Sequence, residues 1–506
     1  MALIIRDSFA PYASITDAGL SYWDVVNSSL TLSSATTRFG EGQSIRSASG
    51  GTAGVMLQKA MTSNQQTIFA AFAFIWNAAF SGTNEVIGVQ YLDGATAQVT
   101  ICLRSDGAVV VRRGGNAGTV VQTFTGVFSA NAWTHIQIKT VIDGSAGEVH
   151  IRLNGNSSDD FAATGLNIKS SANSYGNVVV LNQTVLNGTT SVVFCQHLAF
   201  FDSSGSAPWN NWVGDIRANI IRPSADTAQK QFAPSPATST NFGEQTQVST
   251  NTLAITAGQI RVARIITTPV GGTLGKATAN FNAAMTGNAK IALYDSDGAA
   301  GVPGTLIATS NQVTNPIIGT NDFTFSSPPL LRIAHQYYLA ILTDTNCTLK
   351  GATGSSTTYI QTQAYASGFP ATMTPAGSTA TDPVLFGTIT ATNSGCVQEL
   401  TEDGTTTYVF DSTVGHYDLY DFDDLAATPA SILGLSLRGF VSKSDSGARS
   451  GALTMKSGAT SQDSATAVLS TTMSNLVMVQ DTDPNTGVAW TSAAINALQA
   501  GLKVAA

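Results

Sequence analysis

The chain has 506 residues, too many for one hydrophobic core, and 43% of them are hydrophobic, so two to four domains that each bury a core are expected and bulk disorder is excluded. Charged residues make up only 11%, against about 25% in ordinary soluble domains, so the polar surface is built from Ser, Thr, Asn, Gln and Gly, which favour turns and strands over helices. A formal net charge of −8, with 24 Lys plus Arg and no basic run, argues against a nucleic-acid partner, because phosphate neutralisation needs clustered cations.

In chain order, Met1-Ala2-Leu3-Ile4-Ile5-Arg6-Asp7 reads as a short apolar strand followed by charge, without a secretory apolar core. No stretch approaches the roughly 18 apolar residues of a membrane span, so a chain made in a cytosol and remaining soluble there is expected. Thr67 to Trp76 is apolar on both faces, the pattern of a central strand covered on both sides. Phe72, Phe74 and Trp76 share one face and small Ala71 and Ala73 the other, which predicts one face in a core and one closely overlaid. Asp93-Gly94, Asp106-Gly107, Asp143-Gly144, Asn154-Gly155, Asn187-Gly188, Asp297-Gly298 and Asp403-Gly404 punctuate short apolar runs as hairpin turns do. Gln98 to Arg104 and Ala108 to Arg113 read as one such hairpin. Many short strands without amphipathic helices between them mean sandwiches or jelly rolls.

Trp133-Thr134-His135-Ile136-Gln137-Ile138-Lys139, the Asp143-Gly144 turn and Gly147 to Gly155 resemble the paired strands of laminin G/concanavalin-like lectin domains. Arg38-Phe39-Gly40 leading to Ser44-Ile45-Arg46 resembles an early strand of the same family. The resemblance covers most of residues 1–222. It implies a two-sheet jelly roll with Trp133, Phe72 and Phe74 buried, and a carbohydrate or protein partner at the loop edge; it does not imply catalysis.

Pro223 and Ala233-Pro234-Ser235-Pro236, in a Ser/Thr/Ala/Gln-rich setting, read as a linker over 223–237. A second domain follows at 238–388; Ile291 to Gly298 and then Gly301 to Ala308 read as a strand, a loop and a strand, continuing through Pro328-Pro329-Leu330-Leu331 to Tyr337 to Leu342, and the pattern resembles accessory β-sandwiches of surface and carbohydrate-associated proteins. The third region, 389–506, carries strands near Thr407 to Phe410 and Ile432 to Val441. A helix is predicted from Ser492 to Ala500, capped by Thr491 or Ser492 and ended by Gly501, with Ile495, Leu498 and Leu502 on one face. Leu502 and Val504 either make a contact between copies or complete the third sandwich. This C-terminus, together with the lectin-like start, resembles tailed-bacteriophage virion proteins. In those proteins a segment like Trp212 to Arg217 leads straight into the C-terminal part; here the second domain is inserted between them.

Catalytic chemistry has no signature. The six Glu, at 41, 85, 148, 244, 399 and 402, form no E-x-D-x-E run that would set two carboxylates about 5 Å apart across a glycosidic bond, and they read as solvated charges. His135, His150, His197, His335 and His416 show no zinc spacing and read as strand-surface residues, His135 and His150 flanking one hairpin as possible neighbours. Asp295-Ser296-Asp297-Gly298, Glu402 with Asp403, and Asp421 with Asp423 and Asp424 are too short for a calcium loop and read as turns. Tyr417 to Phe422 reads as core or interface packing ahead of a sugar platform. Cys102, Cys195, Cys347 and Cys396 form no C-x-x-C pair; Cys102 and Cys195, in apolar strands, read as buried apolar groups.

The expected fold class is all-β: three sandwich or jelly-roll-like domains and one short C-terminal helix, with no catalytic, cofactor-binding or metal residue assigned and no cofactor. The first function reading is a non-enzymatic structural component of a tailed-phage virion (capsid decoration, collar or tail-associated protein). It is assembled in the host cytoplasm, forms a homo-oligomer and contacts other virion proteins. The alternative is a carbohydrate-binding adhesin or receptor-binding module that uses the lectin-like domain against cell-surface carbohydrate. Neither reading has a nucleic-acid or membrane partner.

Overall fold

The computed structural model describes residues 3–9, 12, 23–27, 30–39, 42–47, 56–182, 184–186, 193–205, 207–237, 239–246, 251–399 and 403–506. Among these, antiparallel strands predominate and the one α-helix is Ser492–Asn496. No helix among them is long and apolar enough to cross a membrane.

Two sheets build the N-terminal domain. The first runs in the order Phe161–Leu166, Gly147–Leu153, Trp133–Val141, Thr67–Trp76, Val193–Asp202, Ser44–Ser47, Leu30–Ser33, with Leu3–Asp7 also on Val193–Asp202. The second runs Thr119–Phe124, Val109–Arg113, Thr96–Arg104, Glu85–Asp93, Gly176–Asn182, Met56–Gln65, Val25–Val26. Phe72, Phe74 and Trp76 of the first sheet meet Val89, Tyr91, Ile101 and Leu103 of the second in one core. The other face of Thr67–Trp76 is also covered. Phe69 stacks on Phe201 at 5.0 Å and packs with Ala71, Ala199 and Trp209. The two-faced apolar run therefore does what its pattern predicts. Trp133 differs: it is only half-buried at the start of its strand, opposite Ile75, on the outer rather than the core face. The expected hairpin pairs as Thr96–Arg104 with Val109–Arg113. Its turn needs Gly107, which sits at φ 82° where a Cβ would lie 2.5 Å from the Phe128 carbonyl. Asn187-Gly188 lies outside the described residues.

The middle region pairs its first strand, Thr240–Gly243, with its last, Leu385–Ala391, so the chain enters and leaves it side by side. The long strand Cys347–Thr362 joins two sheets. Leu274, Phe281 and Ile389 from one, and Ile291, Leu293 and Ile341 from the other, share its core.

Residues 223–237, read from composition as a linker, carry strands. Pro223–Asp226 pairs with Tyr417–Phe422, and Ala233–Ser235 with Tyr408–Phe410. The prolines are no obstacle, because Pro223 opens an edge strand, where a missing N–H costs no ladder bond. The C-terminal unit is thus built from both sides of the insertion. Its sheet runs Pro223–Asp226, Tyr417–Phe422, Gln499–Val504, Ser450–Ser457, Thr460–Asp463.

The C-terminal helix is shorter than predicted. The Thr491 side chain caps it by accepting the Ala494 amide at 3.1 Å, but it ends at Asn496, and Gln499–Val504 is a strand paired on both sides. Two ladders outbid one more turn of a marginal helix. Gly501 is not a helix stop; it admits the neighbouring strand, since a Cβ there would fall 2.0 Å from the Asp418 carbonyl. Leu502 packs on the C-terminal core, so this segment completes the domain.

The first and last units are fastened together. The Arg438 guanidinium donates to the Tyr12 hydroxyl at 2.7 Å, and that hydroxyl donates to buried Asp7 at 2.6 Å. Arg6 donates to the Leu435 carbonyl and lies 5.9 Å over the Trp209 ring.

Candidate binding surface

The outer face of the first N-terminal sheet carries the densest arrangement of chemistry-bearing side chains. Alternation along Trp133–Val141 sends Ile136 and Ile138 inward and His135, Gln137 and Lys139 outward. Gly147–Leu153 likewise sends Glu148, His150 and Arg152 outward. Residues 209–218 cross this face. Their Trp209, Trp212, Val213 and Ile216 pack on Phe69 and Ala71 together with Leu433 and Val479 of the C-terminal unit.

Beside that segment lies a continuous row of charge. Lys139 Nζ reaches Glu148 at 3.2 Å, and His150 bridges Glu148 at 3.2 Å and Asp159 at 2.7 Å. Arg152 pairs with Asp159 at 2.8 Å and lies 4.2 Å from the centre of the half-buried Trp212 ring. The hydrogen bond from Lys139 holds the Glu148 carboxyl below the usual range. Partial burial pushes Asp159 up, but bonds from Arg152 and His150 outweigh it and leave this carboxyl lowered too. Both acids are therefore ionised acceptors at neutral pH. The row presents alternating donors and acceptors, already held in place by one another, next to an indole ring, at little ordering cost on binding.

Under the crossing segment sit two imidazoles. His135 is 0% and His197 5% exposed, so neither is the strand-surface residue expected from sequence. Ala73 lies between their strands, opposite His135 on one side and Gln196 on the other, and its small size leaves room for both rings. A bulge after Gln196 puts His197 at φ 53° and turns it beneath the segment. His150 stands opposite Lys139, four residues along from His135, so these two are not neighbours. The true neighbour of His135 is His197, brought in by a strand 62 positions away, for which the sequence holds no local signal.

A cleft of about 490 Å³ lies in the middle region, lined by Asn241, Phe242, Gly243, Arg264, Ile265, Ile266, Thr267 and Pro269. Arg264 reaches Glu244 at 2.9 Å and Asp382 at 3.3 Å. Glu244 is 7% and Asp382 1% exposed, and Glu85 is also buried, paired with Arg112 at 2.7 Å. Glu85 and Glu244 are thus buried ion pairs rather than solvated charges. Glu244 and Asp382, behind the Arg264 side of the cleft, share its one guanidinium instead of flanking an open bond.

The other expected groups are separate. His335 pairs with Asp295 at 2.8 Å, His416 with Asp411 at 2.9 Å, and Asp423 with Arg332 at 2.8 Å. Asp297 takes the Thr305 amide and hydroxyl, as a turn residue does. Among the described residues no three His, Cys, Asp or Glu are placed to hold a metal ion. Burial pushes the Glu399 carboxyl up to about 7, and the Thr407 hydroxyl donates to it; Glu41 and Glu402 lie outside the described residues. Leu419 and Tyr420 are buried, so Tyr417–Phe422 is packing rather than a platform. Cys102, Cys195 and Cys396 are buried thiols, and Cys347 is half-buried.

No family model matches the chain, and no curated protein matches it. The receptor binding domain of botulinum neurotoxin type G is 11% identical, covering 41% of this chain and 53% of that one with a TM-score of 0.26. Trypanosoma rangeli sialidase, in complex with the inhibitor DANA, is 9% identical over 34% of this chain and 27% of that one with a TM-score of 0.23. The chain thus spans about half the length of the first and about a quarter of the second. The carbohydrate binding module CBM66 from Bacillus subtilis is 12% identical over 34% of this chain and 96% of that one with a TM-score of 0.22.

Proposed function

We propose that the chain is a non-enzymatic recognition protein whose N-terminal jelly roll binds carbohydrate along the row Glu148, His150, Arg152, Asp159 beside Trp212, and that it is carried in several copies on a tailed-phage virion. The observation that supports this reading is the row itself: Lys139, Glu148, His150, Asp159 and Arg152 held in mutual contact on a sheet face, ending on an aromatic ring. Vicinal hydroxyls take paired hydrogen bonds from such groups, and the face of an indole ring packs against the apolar side of a sugar ring. The full chain is expected to retain a subset of a glycan panel. Arg152→Ala is expected to weaken that binding about tenfold or more, since a hydrogen bond to a charged group contributes about 1.5–3 kcal/mol. No retention of any glycan at millimolar concentration overturns the binding reading. Turnover of a bound glycan that Asp382→Asn abolishes overturns the non-enzymatic one.

A second reading, a purely structural virion component, is favoured by the Arg438–Tyr12–Asp7 and Arg6–Leu435 fastening, which ties the first unit to the last. The two readings are compatible, because repetition on a particle turns weak sugar binding into avidity.

A further inference from the structure

His135 and His197 do more than fill space: the Val213 amide of the segment above them is held by Gln137 Oε1 at 2.9 Å, and the stretch that follows it is held by the two ring nitrogens. The Ile216 amide donates to His135 Nε2 at 3.4 Å, and the Ala218 amide donates to His197 Nδ1 at 3.3 Å. An imidazole nitrogen accepts only when it carries a lone pair, so both rings hold the segment in their neutral form. Their other nitrogens, His135 Nδ1 and His197 Nε2, are buried without a hydrogen-bond partner among the described residues.

The charged groups around them are mainly cationic. Arg38 comes from the loop before Ser44–Ser47 and Arg217 from the segment itself, the latter 4.3 Å over Phe39, whose ring is 5.4 Å from His197. Asp215 is the opposing acid. Its two oxygens are both taken by Arg38 at 2.5 Å, and it lies 3.8 Å from His135 Nδ1. Lys139, further along the His135 strand, is held by Glu148; Arg152 lies on Trp212, and Arg6 and Asp481 meet at Trp209.

We propose that residues 212–218 form an acid-released latch: protonation of His135 and His197 removes the lone pairs that accept the Ile216 and Ala218 amides, and the segment lifts from the sheet. Because the same stretch packs against Leu433 and Val479, release loosens the joint between the first and last units. The direction follows from linkage. Burial, chiefly, holds His135 down at about 4, with Asp215 opposing and Arg38 assisting. Burial again, with Arg38, Arg217 and His135, holds His197 at about 3. In the lifted state both rings regain an ordinary value near 6.5. The closed state is therefore fully favoured above about pH 6.5 and weakens as pH falls from there towards 4, by up to about tenfold per pH unit for each ring.

The test is amide hydrogen exchange on the full chain from pH 7 to 4.5, corrected for the intrinsic rate. The opening constants at Ile216 and Ala218 are expected to rise at least about tenfold between pH 6.5 and 5 while the Phe72 amide stays protected. The double variant His135→Gln/His197→Asn keeps neutral acceptors, and Asn tolerates the positive φ at 197, so its opening is expected to be flat with pH. Should that variant fail to fold, Arg217→Gln removes a cation beside His197 and raises its closed-state value towards the ordinary one, so the acid-driven rise in opening is expected to end smaller, which a merely space-filling histidine would not show. Flat exchange in the wild type, an unchanged rise in Arg217→Gln, or loss of Phe72 protection at the same pH overturns the latch. These outcomes are independent of whether the neighbouring row binds sugar.

Discussion

At the scale of single residues, the low charge content makes each buried ion pair consequential. Among the described residues Arg264 is the only guanidinium that reaches Glu244 and Asp382, and both acids are almost fully buried while it is 37% exposed. Burial pushes the Asp382 carboxyl upward, and the Arg264 backbone amide and charge offset this only in part. Arg264→Ala would leave two acids in an apolar setting with no counter-charge. Breaking a fully buried pair costs about 3–5 kcal/mol; the exposure of Arg264 reduces this to about 2–3 kcal/mol. The sign with pH is fixed by the acids. Without the arginine the Asp382 carboxyl rises further, so it is tolerated when protonated and destabilises as pH climbs above the ordinary carboxylate range. Urea denaturation of Arg264→Ala at pH 5 and pH 8 is expected to show the larger loss at pH 8. Equal losses at both would mean that the arginine acts through packing alone.

At the scale of elements, Gln499–Val504 decides what the C-terminus does. It is paired with Tyr417–Phe422 on one side and Ser450–Ser457 on the other, and Ala500 is fully buried. A truncation ending at Trp490 removes both ladders together with Ile495 and Leu498 from the core. Such a protein is expected to lose the C-terminal unit as a cooperative transition in thermal unfolding, with Trp490 fluorescence shifting to that of solvent-exposed indole. Retention of a native transition would show the strand to be dispensable. The same strand marks the limit of what was legible in advance. Ile495, Leu498 and Leu502 satisfy a helical spacing, and only the partner strands, about 50 and 80 positions earlier, turn the last of them into a ladder residue. Thr67–Trp76 was legible because its two apolar faces declare a central strand within ten residues. Residues 223–237 were not, because their prolines and small polar residues look the same in a linker and in an edge strand. The imidazole pair was invisible for the same reason: two strands and a bulge assemble it, and no local spacing encodes that. The charge row was half legible, since Glu148, His150 and Arg152 alternate on one strand, whereas Asp159 and Trp212 arrive from elsewhere.

At the scale of the whole molecule, the surface has few charges and several exposed apolar groups. Tyr408 and Phe410 share one face of a short strand, their ring centres 6.0 Å apart, and Phe410 is 54% exposed. Ile317 and Ile318 are 64% and 66% exposed at one turn of the middle region. Scattered apolar residues are ordinary on a monomer, but a contiguous aromatic pair on a surface with only 11% charged residues is poorly committed to water. Closed symmetric association is the common way to cover such a patch. It would also serve the proposed recognition role, because a second copy turns a millimolar sugar contact into a much tighter one without any new contact at the sugar. Light scattering on the full chain is therefore expected to give a whole multiple of the chain mass, and Phe410→Ser to shift the population towards smaller species. The substitution lies on a two-stranded ladder with Ala233–Ser235, away from the N-terminal core, so N-terminal unfolding is expected to be unchanged and serves as the control. A strictly monomeric full-length protein would remove the avidity argument and leave only a single-site binder. An oligomer indifferent to Phe410→Ser would keep the argument and move the contact elsewhere, with the Ile317–Ile318 turn the next position to substitute.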